Sequence, residues 1–176
     1  MLVGIISDTH GVFPCKAEAS LAKCDHIIHA GDICGPDILR QIRQIAPTTA
    51  VLGNNDFREY GEDVDKFACV VISGVLFTVT HYPHKIIART EKLLKNNDEF
   101  VDFAGEIIAV HGHTHIARLE TGSSVAPASY LICPGSLAYP RTHVGETLGF
   151  VEVESGEVKD IWIEDLDGSR ILQIGS

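Results

Sequence analysis

Five times within the first two-thirds of this chain, a short apolar stretch stops and Asp, Asn or His follows at once. Ile5-Ile6-Ser7 runs into Asp8-Thr9-His10, and Ile27-Ile28-His29-Ala30 into Gly31-Asp32. Val51-Leu52 runs into Gly53-Asn54-Asn55-Asp56, and Phe77-Thr78-Val79-Thr80 into His81. The fifth, Ile107-Ile108-Ala109-Val110, runs into His111-Gly112-His113-Thr114-His115. Runs so short and so apolar read as buried strands, and in α/β sheets the carboxyl ends of strands form the rim where ligands bind. If these strands are neighbours, the rim collects carboxylate, imidazole and amide donors in one pocket. Oxygen and nitrogen donors of that kind suit Mn²⁺, Zn²⁺ or Fe²⁺ rather than a thiolate-bound metal.

The elements between these rims alternate. Strands are expected over Val3–Ser7, His26–Ala30 and Ala50–Leu52, with helices around Lys16–Lys23 and Pro36–Ile45 between them. In the second helix Ile38, Ile42 and Ile45 share a face, Pro36 suits the first turn and Pro47 stops continuation. Phe67–Ile72 and Val75–Thr80 flank Ser73-Gly74, which reads as a hairpin turn. A helix over His84–Lys95 leads to the strand Ile107–Val110. Short strands follow near Ala117–Leu119, Tyr130–Cys133, Gly149–Val153 and Asp160–Ile163. Such βα units leading into a β-rich half imply two packed sheets with helices outside, in one continuous domain over residues 1–176.

Charge and cysteines narrow the function classes. Fourteen Lys and Arg against 24 Asp and Glu give a formal net charge of −10. That balance disfavours a binder of long nucleic acid but admits a small phosphorylated substrate, because bound cations reverse the local sign. No apolar run approaches the roughly 18 residues that span a bilayer. Met1 to Ile6 lacks a basic leader and reads as a first strand, so no membrane partner is expected. Five cysteines without a C-x-x-C pair read as reduced thiols, which makes the cytoplasm the expected compartment.

Each motif alone is commonplace. Gly-Asp and Gly-Asn-Asn-Asp are ordinary turns, and a lone His81 is an ordinary strand-end histidine. Gly112-His113-Thr114-His115 says more, because alternate residues of an extended segment reach the same side. The ordered set at five strand ends is what points to a metal site. His111 and His29 read as buried packing or supporting groups, His84 and His143 as solvated surface, and Trp162 as core.

The order Asp-x-His, Gly-Asp, Gly-Asn-x-Asp, His, Gly-His-x-His resembles the calcineurin-like metallophosphoesterase superfamily. The small size and the Gly-Asn-Asn-Asp form resemble its compact bacterial and archaeal phosphodiesterase branch. The likeness runs from Gly4 to about Arg141 and includes Pro134-Gly135-Ser136 and Pro140-Arg141. It implies an α/β fold, a four-layer α/β/β/α sandwich of two mixed sheets flanked by helices. It implies a first metal on Asp8, His10, Asp32 and His115, and a second on Asp32, Asn54, His81 and His113, with Asp32 bridging. The two divalent ions would be Mn first, with Fe, Ni or Zn as alternatives. Cations about 3.5–4 Å apart can hold a bridging hydroxide and steady an in-line displacement at phosphorus. Asp32, Asn54 and His113 would then position metals, hydroxide and phosphate, with Asn55, Tyr82 and Arg141 as candidate substrate contacts.

Two departures from the family pattern bear on the chemistry. Asn55 stands where related phosphatases have a His that helps protonate the leaving alkoxide, and an amide cannot act as an acid. His81-Tyr82 stands where the family usually has His-Gly. The expected activity is therefore metal-dependent phosphodiester hydrolysis on a small substrate. The alternatives are a phosphomonoesterase and a non-catalytic metal-binding scaffold on the same fold. The sequence is open to a homo-oligomer.

Overall fold

The computed structural model describes residues 1–174. Two sheets carry the architecture. The first contains β1 (Leu2–Ile6), β2 (His26–His29), β3 (Thr48–Ala50), β9 (Thr147–Glu154), β10 (Glu157–Asp165) and β11 (Arg170–Ile174), in the order β11-β10-β9-β1-β2-β3. The second contains β4 (Ala68–Ile72), β5 (Val75–Val79), β6 (Ile107–Val110), β7 (Arg118–Thr121) and β8 (Tyr130–Cys133), in the order β4-β5-β6-β8-β7. Within the first sheet β1, β2 and β3 are parallel, and within the second β5, β6 and β8 are parallel. Antiparallel strands complete both, so the sheets are mixed.

Alternation along the strands decides the layers. Val3 and Ile5 of β1 and Ile28 of β2 pack against Phe77 and Val79 of β5 and Ile108 and Val110 of β6, which forms the core between the sheets. Ile6 and Ile27 point the other way, onto Leu21 of α1 (Cys15–Leu21) and Leu39 and Ile42 of α2 (Pro36–Ile45). On the far side of the second sheet, Leu76, Ile107 and Ala109 cover Ile86 of α3 (Pro83–Asn96). The result is the expected α/β/β/α sandwich, with both faces of the central strands buried. Trp162 lies in the outer core of the first sheet, stacked on Phe150 at 5.3 Å. Among the described residues no helix is long and apolar enough to cross a membrane.

Several boundaries differ from the sequence expectation. The third strand is Thr48–Ala50, not Ala50–Leu52, because parallel pairing with β2 sets Thr48 opposite Ile27 and Ala50 opposite His29. Val51 makes only an isolated bridge to Asp65, and Leu52 already belongs to the loop. β9 and β10 run longer than their apolar centres, since the Ser155-Gly156 turn between them has positive φ at both residues (52° and 86°) and closes a tight hairpin. β11 was not foreseen. It is a half-exposed edge strand whose polar residues hide the strand pattern.

Phe77 is fully buried between the sheets. Phe77→Ala should lower the unfolding free energy by about 3–5 kcal/mol. Urea denaturation at unchanged m-value measures it, and a loss below 1 kcal/mol would mean that the inter-sheet core can close around the gap.

Candidate metal centre

The parallel strands of both sheets end at one edge, and the loops leaving them are tied together by main-chain hydrogen bonds. Asp8 N–H donates to the Gly31 carbonyl and His10 N–H to the Asp32 carbonyl, both at 2.9 Å. Gly112 N–H donates to the His81 carbonyl at 3.2 Å. The backbone at these positions is unusual. Asp8, His10, Asp32, His113 and His115 all have positive φ, at 53°, 43°, 54°, 72° and 59°. Non-glycine residues are seldom found there, and clusters of such conformations mark functional sites. Glycines give the room: a Cβ on Gly53 would lie 2.0 Å from Asp32 Oδ1, and one on Gly31 2.8 Å from the Gly53 nitrogen.

The side chains converge in two overlapping sets. Asp8, His10 and His115 present donor atoms within 4.8 Å of one another, as do Asp8, Asp32 and His81. His115 Nε2 is 3.1 Å from Asp8 Oδ1 and 3.4 Å from His10 Nε2. Asp32 Oδ2 lies 3.7 Å from His10 Nε2 and 3.5 Å from His81 Nε2. Asn54 Oδ1 sits 3.1 Å from His81 Nε2 and 2.8 Å from His113 Nδ1, and those two nitrogens are 3.2 Å apart. Two nitrogens on one tetrahedral ion with bonds of about 2.0–2.1 Å would stand about 3.4 Å apart, so the imidazole spacing is that of shared ligation. All seven sequence-expected ligands are thus brought together.

Whether the site fits a cation is tested by Asp8. Its Oδ2 accepts from the Ser7 hydroxyl (2.6 Å) and from His113 N–H (3.0 Å), but its buried Oδ1 has no hydrogen-bond partner among the described residues. Burial pushes this carboxyl up to about 6, against the downward pull of the Ser7 hydroxyl, His81 and the His113 N–H. A buried carboxylate oxygen left unpaired beside two imidazole nitrogens is a cation ligand in waiting. The histidines are oriented to match. His81 Nδ1–H donates to the Ala30 carbonyl (2.9 Å) and His115 Nδ1–H to the Tyr139 carbonyl (2.7 Å), which leaves each Nε2 lone pair free.

Groups around the donors hold them in place. His29 is fully buried and burial lowers it to about 4, so it is neutral. Its Nδ1 accepts from Gly31 N–H, and its Nε2 pairs with the Thr9 hydroxyl at 3.0 Å. The sequence-expected supporting role for His29 therefore has a geometry: it links the Asp8 loop to the Asp32 loop. Asp56 does the same for a third loop, and its part was not read from the sequence. Its carboxylate accepts from the N–H groups of Ile33, Cys34 and Gly53 and from the Tyr60 hydroxyl, at 2.8–3.1 Å. Burial would raise it, yet these bonds hold it below its ordinary value. The fixed Asp of Gly-Asn-x-Asp was the available signal. His111 is buried, donates Nδ1–H to Gly112 O, and keeps an unpartnered Nε2.

A cavity of about 290 Å³ opens beside the donors, lined by His10, Asp32, Asn54, Asn55, His113, His115, Tyr139 and Arg141. Of the candidate substrate contacts, Arg141 and Asn55 are on its wall. Asn55, however, spends its side chain on Asp32: its Nδ2 donates to Oδ2 at 2.7 Å and its backbone N–H to Oδ1 at 2.8 Å. Tyr82 does not line the cavity. Its ring packs edge-on against His81 and tilts on His113, 5.4 and 5.5 Å away, with the Lys85 ammonium 4.4 Å over it. It is the N-cap residue of α3, directly before Pro83. Tyr139, not anticipated as a contact, does line it. His84 and His143 are exposed, as expected.

The model of the calcineurin-like phosphoesterase superfamily domain matches residues 1–156. A probable metallophosphoesterase of Methanothermobacter thermautotrophicus is 32% identical over 152 residues, 80% of each protein. Among solved structures, Yfce, a phosphoesterase from E. coli, superposes with a TM-score of 0.71 at 18% identity, covering 99% of both chains. A novel archaeal phosphodiesterase superposes at 0.61 with 22% identity, covering 93% of this chain and all of its own. At those identities the structural likenesses speak for the fold.

Asp8→Asn removes an anion that burial disfavours. Above about pH 6 the metal-free variant should be as stable as the wild type or more stable. Wild-type protein should gain about 2.7 kcal/mol at a metal concentration 100 times Kd, and the variant should gain less. Thermal melts in EDTA and in manganese chloride measure both. A metal-induced rise in Asp8→Asn as large as the wild type's would remove Asp8 from the ligand set.

Proposed function

The chain belongs to the calcineurin-like phosphoesterase superfamily, and we propose that it is a phosphodiesterase working with two divalent ions. The observation that carries this reading is the position of one atom. Asp32 Oδ2 lies 3.7 Å from His10 Nε2 and 3.5 Å from His81 Nε2. A carboxylate within reach of both imidazoles would serve two ions, one held by Asp8, His10 and His115 and the other by Asn54, His81 and His113. Manganese is the first candidate, because the donor set mixes carboxylate, amide oxygen and imidazole and contains no thiolate. Divalent cations there supply Lewis acidity and neutralise charge on the phosphoryl oxygens during an in-line displacement.

The protein's own part is to fix these groups before substrate arrives. The Ala30 and Tyr139 carbonyls set the tautomers of His81 and His115. Arg141 brings a permanent cation to the cavity wall, suited to a phosphoryl oxygen. Asn55 orients Asp32 and has no proton to give a leaving group. A diester with a good leaving group therefore fits better than an alkyl monoester, and it brings less negative charge to a chain of net charge −10. All five cysteines are free thiols, which supports a reducing, cytoplasmic setting.

The test is hydrolysis of bis(4-nitrophenyl) phosphate and 4-nitrophenyl phosphate by the manganese-loaded protein. The diester should be the better substrate. Asp32→Asn should cost more than the roughly 100-fold that loss of an outer partner of a metal ligand costs. Faster monoester turnover would assign a phosphomonoesterase, and bound metal without turnover would favour the scaffold reading.

Leaving-group chemistry gives a second measurement. General acid catalysis is worth about 10²–10⁴-fold, so diesters of graded leaving-group pKa should show a steep fall in kcat/KM that Asn55→His flattens. A flat series in the wild type would mean that another group already supplies the proton.

A further inference from the structure

We infer that Tyr139 selects phosphoesters that carry a flat aromatic group, which its ring receives beside the metal centre. This rests on the reading of the cavity as a phosphoester site. Of the residues lining that cavity, Tyr139 alone among those described is neither a metal-type donor nor an amide or cationic side chain. Its side chain is 60% exposed although it meets His10 edge-on, with ring centroids 5.2 Å apart at 62°. A T-shaped contact uses only part of a ring, and the remainder is open for a second partner.

The backbone that carries the ring is also held close to the donors. The Tyr139 carbonyl accepts from His115 Nδ1–H at 2.7 Å, and its N–H donates to Ser136 Oγ at 2.9 Å. That serine hydroxyl donates in turn to the Asp8 carbonyl at 2.8 Å, and Arg141 N–H donates to the His115 carbonyl at 3.0 Å. The Tyr139 backbone is therefore joined directly to His115 and, by way of Ser136, to the Asp8 loop.

Among the cavity-lining residues only Tyr139 offers an aromatic ring that is not a metal-type donor. Phosphate itself would be served by Arg141 and the metals without it.

Isothermal titration of the manganese-loaded protein with phenyl-, cyclohexyl- and methylphosphonate tests this, since none of the three has a leaving group. Phenylphosphonate should bind about three- to tenfold tighter than the other two in the wild type, the range expected of an aromatic pair. In Tyr139→Ala the ratio of phenyl to methyl affinity should fall below about twofold, whereas Tyr139→Trp should keep it, as expected of ring stacking. The exposed position of Tyr139 makes these variants safe to fold. Equal binding of phenyl- and methylphosphonate, or a ratio unchanged in Tyr139→Ala, would overturn the inference. Cyclohexylphosphonate binding as tightly as the phenyl compound would overturn it too, in favour of unspecific apolar contact, and so would failure of all three to bind. Diester turnover is read separately: its absence, with the phenyl preference intact, would sink the phosphodiesterase reading alone.

Discussion

The hydrogen bond from His81 Nδ1–H to the Ala30 carbonyl, 2.9 Å long, joins the end of a strand in one sheet to the end of a strand in the other. It depends on the two sheets packing face to face with their parallel strands pointing the same way. Val3, Ile5 and Ile28 meet Phe77, Val79 and Ile108 across that interface, and burial of those side chains supplies the driving force. Once the sheets are set, His81 has one orientation and its Nε2 faces Asp32 and Asn54. The glycines then let the loops close in, because a Cβ at Gly53 would occupy the place of the Asp32 carboxylate. Packing between apolar strands is thus what aims the polar groups at one another.

That arrangement carries a cost in stability. Asp8 is buried with one oxygen unpaired, five of the donor residues have left-handed backbone, and imidazole nitrogens stand near contact distance. Each of these would be relaxed in a fold selected only for stability. Their coincidence in one cluster is a physical argument for a functional centre that is independent of family membership. Supporting groups such as His29 and Asp56 offset the cost by fixing the loops through hydrogen bonds. Asp56 gathers three backbone N–H groups and a phenol, which stabilises an anion that burial would otherwise penalise.

Asn55 and Tyr139 show how neighbouring loops divide the work. The amide of Asn55 turns inward and governs the carboxylate of Asp32, so a residue that looked from its motif like a substrate contact acts on a ligand. Tyr139, from a segment far along the chain, turns its ring to the cavity while its main chain grips His115. Tyr82 lies next in sequence to a donor and yet is not on the cavity wall, its ring lying against His81 and His113 instead. Proximity in sequence to a ligand is therefore a poor guide to contact with substrate here.

The amino-acid sequence alone made legible which residues are metal-type donors and that all but Asn54 follow closely on a buried strand. Asp8, His10, Asp32, Asn54, His81, His113 and His115 were legible because an apolar run that breaks into Asp, Asn or His is a local signal. The layered α/β class was legible for the same reason, since period and punctuation are local properties. Strand order, the exact end of β3 and the edge strand Arg170–Ile174 were not, because pairing partners and register are set by residues distant in the chain. Only the tertiary structure decided that Asp8 would keep a bare buried oxygen, that Asn55 would face Asp32, and that Tyr139 would line the cavity. Those are facts of direction and burial, and a side chain's direction depends on loops that the sheets bring together from opposite ends of the sequence.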